Sequence, residues 1–321
     1  MNYTPYAHFI AQYFTGKVQK LPVDAGLSCP VRDGKLSRGG CAFCNAQSFV
    51  PPSCARAEDI VSQLQAAKTF FARKISQTTS QVTFLAYFQS GTNTYASVQH
   101  MQPLIEAALT VEGVRGVVLA TRPDCLSDEW LNYLQTLSQQ CFVMVELGVE
   151  SIDNEVLANV GRCHDVATSE RAIARLHCVN IPVCVHVILG LPHERTDYIP
   201  RLAQWLNAQS VEVVKLHQLQ IVRGSRMAAD YQQNPTSYNL FTLDAYVKTV
   251  VEFLQHLSPN VAVERFVSQS PYAQLIAPRW GVKNDEVLLR IQAELKKKNH
   301  GFWTPYAKRV LMKKLMGIDD N

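Results

Sequence analysis

Residues 28–44 read SCPVRDGKLSRGGCAFC and place three thiols, Cys29, Cys41 and Cys44, within sixteen residues. This stretch follows an apolar run at Leu21–Ala25 that predicts a β-strand. The segment between the first and second thiols is polar and contains three glycines, so it can wrap around a compact inorganic centre with its amides turned inward. Three grouped thiolates suit either zinc or an iron–sulfur cluster.

The two metal alternatives differ in the ligands that they require. A structural zinc site would need a fourth ligand, from Cys54 or a histidine, and the usual zinc ribbon has two C-x2-C knuckles where this chain has one. A lone set of three cysteines fits a [4Fe–4S] cluster with one iron left open for a ligand. The spacing by itself leaves both alternatives open.

Downstream of the cysteines, β-rich apolar runs alternate with amphipathic helical stretches from residue 80 to residue 266. This alternation is typical of βα units and predicts an α/β protein with a parallel sheet. With the strand at Leu21–Ala25, six or seven strands are expected, wound into a complete or partial barrel whose chemistry lies at the carboxyl ends of the strands. The further predicted strands are Val82–Phe88, Gly116–Ala120, Phe142–Gly148, Val183–Leu189, Val213–Gln220 and Val261–Phe266.

The composition excludes several classes of protein. The chain has 321 residues, of which 47% are hydrophobic and 18% charged, so the signature of disorder is absent. No stretch approaches the roughly 20 apolar residues that span a bilayer, and residues 1–10 lack the pattern of a secretory leader. We therefore expect a cytoplasmic protein with no membrane association, in which grouped cysteines hold a metal rather than a disulfide.

The net charge of +4 is unevenly distributed. Residues 1–57 carry +4 and residues 290–321 carry +5, which leaves −5 on the middle of the chain. The basic ends are either a contact surface for a polyanion or solvated helix faces. After residue 283 the pattern becomes one basic helix, 284–298, and then an aromatic and basic tail. We therefore divide the chain into a core at 1–283 and a C-terminal helical, basic extension at 284–321.

The three-cysteine stretch resembles that of the radical S-adenosylmethionine (SAM) enzymes, in which an aromatic residue precedes the last cysteine as Phe43 precedes Cys44. The resemblance is closest to the YhcC-like branch, related to the oxygen-independent coproporphyrinogen-type and elongator-type proteins, and runs from about residue 17 to residue 282. Further matching stretches are 23–26, 32–34, 86–89, 92–95, 121–125, 146–148, 189–192 and 215–217.

The resemblance implies a partial (β/α)6 TIM-like barrel of the radical SAM type, with a cluster-binding loop at 26–45. It implies that Cys29, Cys41 and Cys44 hold one [4Fe–4S] cluster whose open iron chelates SAM. One electron then cleaves SAM to a 5′-deoxyadenosyl radical, which abstracts a hydrogen atom from the substrate. A one-electron donor such as flavodoxin or ferredoxin is implied as a partner.

The resemblance also assigns SAM contacts to positions at the strand ends. The turn after the second strand is expected to accept from the SAM ammonium, Glu150 to bond the ribose hydroxyls, and Arg162 to pair with the SAM carboxylate. The strand and turn from His186 onward are expected beneath the adenine and ribose. The full set is Phe43, Ser90, Gly91, Thr92, Glu150, Arg162, His186 and Gly190.

Cys125 follows a predicted strand end, so it is a candidate catalytic hydrogen donor or thiyl site.

Three hypotheses remain for the biochemical role. The first is a radical SAM enzyme that modifies a tRNA nucleoside, suggested by the basic ends and the Thr121-Arg122-Pro123 segment. The second is a radical SAM enzyme that acts on a small metabolite. The third is a zinc-stabilised nucleic-acid-binding protein without catalysis.

Overall fold

Ten strands account for the β-structure of the computed structural model, which describes residues 3–45, 54, 59–75, 82–268 and 270–299. Eight of them form one parallel sheet in the order β1-β9-β7-β6-β5-β4-β3-β2, and the other two, β8 and β10, form a small antiparallel pair. The strands are β1 (Thr4–Pro5), β2 (Lys17–Val23), β3 (Val82–Phe88), β4 (Val114–Thr121), β5 (Phe142–Glu150), β6 (Val183–Leu189), β7 (Val213–Gln218), β8 (Ile221–Val222), β9 (Ala262–Arg265) and β10 (Leu275–Ala277).

Helices alternate with these strands, and the long ones pack on one face of the sheet. Several begin at a side-chain cap: Ser97, Ser127 and Asp165 each accept from the backbone N–H three residues on. The helices are α1 (Tyr6–Ile10), α2 (Ile60–Ile75), α3 (Val98–Thr110), α4 (Asp128–Ser138), α5 (Asn154–Asn159), α6 (Val166–Cys178), α7 (Tyr198–Ala208), α8 (Arg226–Gln233), α9 (Leu243–His256) and α10 (Asn284–Asn299).

The sheet curls into a half-barrel, which confirms the predicted α/β fold of the partial TIM-like type. Strands β3 and β6 have the predicted bounds, and the other predicted strands are present with ends shifted by a few residues. The strand count is eight rather than six or seven because the two-residue β1 pairs with β9 at the edge. So short a strand leaves no alternating pattern in the sequence to detect.

Alternate residues of each strand face the inside of the half-barrel. The lower part of this interior is apolar, where Leu85, Val118 and Met144 meet Phe9 and Ile10 of α1. Helix α1 therefore closes the amino-terminal end of the barrel. Above this apolar layer the inward-facing residues are polar and charged. A ligand inside the half-barrel can therefore bind only above the apolar layer.

The floor of this polar region is a buried cluster of charges centred on Glu146 of β5. Its carboxylate oxygens accept from Lys20 Nζ of β2 at 2.7 Å and from Lys215 Nζ of β7 at 2.6 and 2.7 Å. Tyr87 of β3 donates its hydroxyl at 2.6 Å, and His186 Nε2 of β6 lies at 2.7 Å. One carboxylate thus joins five of the eight strands of the sheet.

A second carboxylate, Glu264 of β9, completes the cluster with Lys20 at 2.6 Å and Lys215 at 3.1 Å. Lys20 and Glu264 come from opposite edge regions of the open sheet, so this ion pair crosses the gap that no β-ladder closes among the described strands. Burial raises the pKa of the Glu146 carboxyl, but the two lysine charges outweigh it and hold this pKa well below its usual range.

The C-terminal end of the described chain is attached to the same core. Helix α10 buries Val287, Ile291 and Leu295 against the main hydrophobic core, while residues 300–321, with the predicted aromatic and basic tail, lie outside the described residues. Within the part of the chain that the structure describes, no helix is long and apolar enough to cross a membrane.

We predict that Glu146→Ala lowers the free energy of unfolding by about 3–5 kcal/mol, because it leaves two buried ammonium groups with too little negative charge. Urea titration followed by circular dichroism measures this change. The control is Glu252→Ala, which removes an exposed carboxylate of α9 and should change stability by less than about 0.5 kcal/mol. Equal effects of the two substitutions would show that the cluster does not stabilise the barrel.

Candidate functional site

The three cysteines of the sequence motif line one cavity of about 620 Å³ at the carboxyl ends of the strands. Their loop is held by Gly40 N–H to Val31 O at 2.8 Å and by Ala42 N–H to Val160 O at 2.8 Å. From the other side, Met227 N–H of α8 donates to Ala42 O at 2.9 Å. The loop is therefore clamped between the end of α5 and the start of α8, which fixes where its thiols lie.

Two guanidinium groups donate to the sulfurs of this loop. Arg32 Nη2 lies 3.1 Å from Cys44 Sγ, and Arg162 Nη1 lies 3.5 Å from Cys41 Sγ. Burial raises the pKa of Cys44 to about 11 against the opposing charge of Arg32, so this thiol is protonated at neutral pH until a metal takes up the sulfur. The N–H donors fit the negative charge that metal-bound thiolates carry.

The three sulfurs of the loop do not converge on one point. Around one zinc ion at 2.3 Å, thiolates stand about 3.8 Å apart. Among the described residues, the one set of three possible ligands whose atoms all lie within 4.8 Å of one another is Glu146, Cys184 and His186, so the three loop sulfurs as a set are wider apart. A single zinc ion would therefore require these thiols to turn toward one another.

Neither other candidate for a metal site competes with the loop. The oxygens of Glu146 already accept from two lysines, so they are not available to bind a cation with Cys184 and His186. Cys54, which was considered as a fourth zinc ligand, lies elsewhere. Its thiol donates to Pro22 O at 3.3 Å, and it lines a separate, smaller cavity.

The turn after β3 packs directly on the entry to the cysteine loop. Thr92 N–H donates to Ser28 O at 3.2 Å, and the buried Asn93 amide donates to the carbonyls of Phe88 and Ala120, both at 2.8 Å. Gly91 has a φ of +70°, and a Cβ on it would lie 2.4 Å from Leu27 O. Glycine is therefore required here by both backbone conformation and space.

A register shift between β5 and β6 presents Glu150 to the cavity. Gly148 pairs with His186, but Glu150 pairs with Val187, so β5 carries one extra residue, and Glu150 has a φ of +69°. A non-glycine residue in this region is strained, and such strain is concentrated at functional sites. Arg162 lies 3.5 Å from Glu150 and also donates to Gly148 O.

Arg122, at the end of β4, supports this arginine. It is 2% exposed, donates to both oxygens of Asp124 at 2.8 and 2.9 Å, and donates to the carbonyl of Arg162 at 2.6 Å. Burial and the nearby charges of Arg162 and Arg122 lower the pKa of His164 to about 4, so His164 adds no charge at neutral pH. Arg122, which follows β4, and Arg162, which follows α5, thus place two fixed guanidinium groups in the cavity that the thiols line, each of them paired with a carboxylate.

Seven of the eight residues assigned to the cofactor line this cavity together with the three cysteines, and Gly190 does not. Gly190 donates its N–H to Glu194 at 2.9 Å in a turn packed against Phe241. The catalytic candidate Cys125 is half-buried and also absent from the lining, and burial together with Asp124 raises its pKa to about 12. The roles given to all these residues remain predictions. The seven lining residues are Phe43, Ser90, Gly91, Thr92, Glu150, Arg162 and His186.

Sequence reasoning gave no role to several charged or aromatic residues that line the same cavity. For Arg122, Glu146 and His217 a signal was present, because segments 121–125, 146–148 and 215–217 each matched the resembled family, although Cys125 alone among their residues was given a site role. The sequence does not show which of the alternating positions of each strand face the inside of the half-barrel. The added lining residues with ionisable or aromatic groups include Tyr87, Arg122, Glu146, His217 and Arg265.

Comparison with known proteins gives matches over most of the chain. A model of the radical SAM superfamily matches residues 37–206, and a model of the radical SAM C-terminal domain matches residues 211–297. The Bacillus subtilis (strain 168) protein YtqA is 31% identical over 288 residues, covering 90% of this chain and 88% of that protein. The Escherichia coli (strain K12) protein YhcC is 32% identical over 265 residues, covering 82% of each chain.

A solved structure with a similar fold is the archaeal Methanocaldococcus infernus Elp3 with an N-terminal deletion. The TM-score is 0.66 at 16% identity, and the match covers 89% of this chain and 64% of that chain. At this identity the likeness concerns the fold. It agrees with the half-barrel described above.

We predict that Gly91→Ala destabilises the protein by about 1–3 kcal/mol more than Gly26→Ala, because only the first adds a clash with backbone to the strain of a positive φ. The two glycines have φ values of +70° and +69°, and a Cβ on Gly26 would meet nothing within 4 Å. Thermal unfolding of both variants measures the difference. Identical melting temperatures of the two variants would mean that the turn after β3 shifts to accommodate the added Cβ without loss of stability.

Proposed function

The chain belongs to the radical SAM superfamily, and we propose that it is an enzyme that uses one [4Fe–4S] cluster to cleave SAM to a 5′-deoxyadenosyl radical. Members of this superfamily are generally enzymes. The observation that carries the proposal is the gathering of Cys29, Cys41 and Cys44 in one cavity, with a guanidinium donating to the sulfur of two of them.

The residues present fit such a cofactor. Cys29, Cys41 and Cys44 would hold it as thiolates, which leaves the fourth iron for SAM. Held there, the cluster would supply one electron to the sulfonium of SAM, which gives methionine and the 5′-deoxyadenosyl radical. Arg32 and Arg162 offset the negative charge of the ligating sulfurs, and their hydrogen bonds tune how readily the site accepts an electron.

Several side chains are in position to bind and orient SAM. Arg162 offers an unpartnered, buried Nε among the described residues, in addition to its bonds to Gly148 O and Cys41 Sγ, so it is suited to a carboxylate. The Glu150 carboxylate can accept from the ribose hydroxyls, and the turn at Ser90 offers oxygen acceptors for the ammonium. Arg122 holds the backbone of Arg162 and thereby keeps its guanidinium in place.

Replacing Cys41 with alanine tests the cofactor assignment. Reconstituted under anaerobic conditions, the unaltered protein should hold about four iron and four sulfide per chain and form 5′-deoxyadenosine from SAM with dithionite, and the variant should lose both. The matched control is Cys178→Ala, because Cys178 is exposed at the end of α6 and should not affect either quantity. Stoichiometric zinc in place of iron would contradict the proposal and support a structural metal site.

For the substrate we propose a tRNA nucleoside, with flavodoxin or ferredoxin as the reductant. The support is the charge of +4 on residues 1–57 and +5 on residues 290–321, which would attract phosphates. We predict that bulk tRNA binds at low salt and is released as salt rises, as measured by filter binding with a double-stranded DNA control. Absence of tRNA binding at low salt would leave a small metabolite as the substrate class.

A further inference from the structure

The SAM-binding side chains proposed above occupy one side of the cavity, at the carboxyl ends of β3, β5 and β6. The adjoining wall comes from β7, from the end of β9 and from the segment that follows it. No role has been assigned to this wall, although most of it is polar. Its polar members are His217, Gln218, Gln220, Arg265, Ser268 and Ser270.

A second register shift turns Arg265 into the cavity. Val214 pairs with Val263, but Lys215 pairs with Arg265, so β9 carries one extra residue at this point. As a result two consecutive residues face the interior, Glu264 toward the lysines of the floor and Arg265 toward the cavity. Bulges of this kind re-aim side chains beside functional sites.

The guanidinium of Arg265 is exposed and has no hydrogen-bond or ion-pair partner among the described residues. Arg122 and Arg162, which also line the cavity, are buried and bonded to carbonyl or carboxylate oxygens. The nearest acid in sequence, Glu264, is already paired with two lysines. The guanidinium of Arg265 is therefore left without a bonded carboxylate among the described residues.

The rest of the wall is fixed by side-chain amides of β7 and its extension. Gln218 donates to Ser268 O at 3.0 Å and accepts from Ser268 N–H at 2.7 Å. Gln220 accepts from the hydroxyl of Ser270 at 2.8 Å and from its N–H at 3.2 Å. The segment after β9 is therefore tied to β7 at two points, which makes the wall a preorganised surface.

His217 adds a neutral polar group beside this arginine. Its Nδ1 bonds the hydroxyl of Ser268, its ring stacks on His186 with centroids 5.2 Å apart, and its Nε2 has no partner among the described residues. Burial, with the nearby His186 and Arg265, holds the pKa of His217 well below its usual range. The imidazole is thus uncharged and contributes a hydrogen bond rather than a second cation.

We propose that Arg265 and His217 form a subsite for an anionic group, a carboxylate or a phosphate, on the substrate that shares the cavity with SAM. This inference rests on the proposed function, because that function assigns the other side of the cavity to SAM. An unpaired guanidinium favours an anion by charge-assisted hydrogen bonds, repels a cation, and forms a weaker bond to a neutral group.

Small aromatic probes test the subsite on the full-length protein, without added SAM. Binding of phenyl phosphate, benzoate and the neutral benzyl alcohol is measured by ligand-observed NMR. We expect at least one anion to bind about tenfold more tightly than benzyl alcohol, and Arg265→Gln to remove this preference. The anion that binds more tightly identifies the group that the subsite takes as a phosphate or a carboxylate. The control is Arg279→Gln, because Arg279 is exposed and donates to Leu275 O outside the cavity.

Failure of the anion subsite and failure of the proposed function would give different experimental results. Equal binding of the anions and benzyl alcohol, or an anion preference that survives in Arg265→Gln, would overturn the subsite. These measurements do not depend on iron or SAM cleavage, whereas the Cys41→Ala experiment depends on both. Loss of anion binding in Arg279→Gln as well would show a general effect of surface charge, and it too would refute the assignment to Arg265.

Discussion

The carboxylate of Glu146 is the contact on which the rest of this barrel depends. It accepts from side chains of four other strands, and with Glu264 it balances the charges of Lys20 and Lys215. Burying four charges is costly, and the cost is offset only if all four are present and well bonded. The cluster therefore ties the strands together as a unit, including the two edge regions that no ladder joins.

The charge cluster also leaves the electrostatic character of the cavity above it to other groups. Because its charges cancel, the floor does not set the electrostatic character of the cavity; the groups at the strand ends do. On the side of the cysteines, Arg162 is buried and donates to Cys41 Sγ, and Arg122 is buried and donates to the carbonyl of Arg162, so both guanidinium groups are held in fixed places. On the adjoining wall, Arg265 stays exposed and unpaired among the described residues, which suits it to a group that enters and leaves.

The sequence allowed the βα order and most strand positions to be predicted because each buried strand is an apolar run between amphipathic helices. Strands β3 and β6 have the predicted bounds for that reason. The short β1, β8 and β10 have two or three residues each, which is too few for a detectable pattern. The three cysteines were found from local spacing, whereas the charge cluster joins residues up to 244 positions apart and needs the register to be known.

A register shift explains why Arg265 escaped prediction, whereas Glu150, beside another shift at the cavity, was assigned from the resemblance and does line the cavity. Simple alternation along β5 and β9 predicts which residues face inward only while the pairing stays regular. At Glu150 and at Arg265 the pairing slips by one residue, and each slip adds a charged group to the cavity wall. One shift lies on the side proposed for SAM and the other on the side proposed for the substrate. The bulge in β9 places both Glu264 of the floor and Arg265 of the cavity wall, whereas the cysteine loop is held by other contacts, from Val160 and Met227. The position of the cysteine loop is therefore set independently of the wall that carries Arg265.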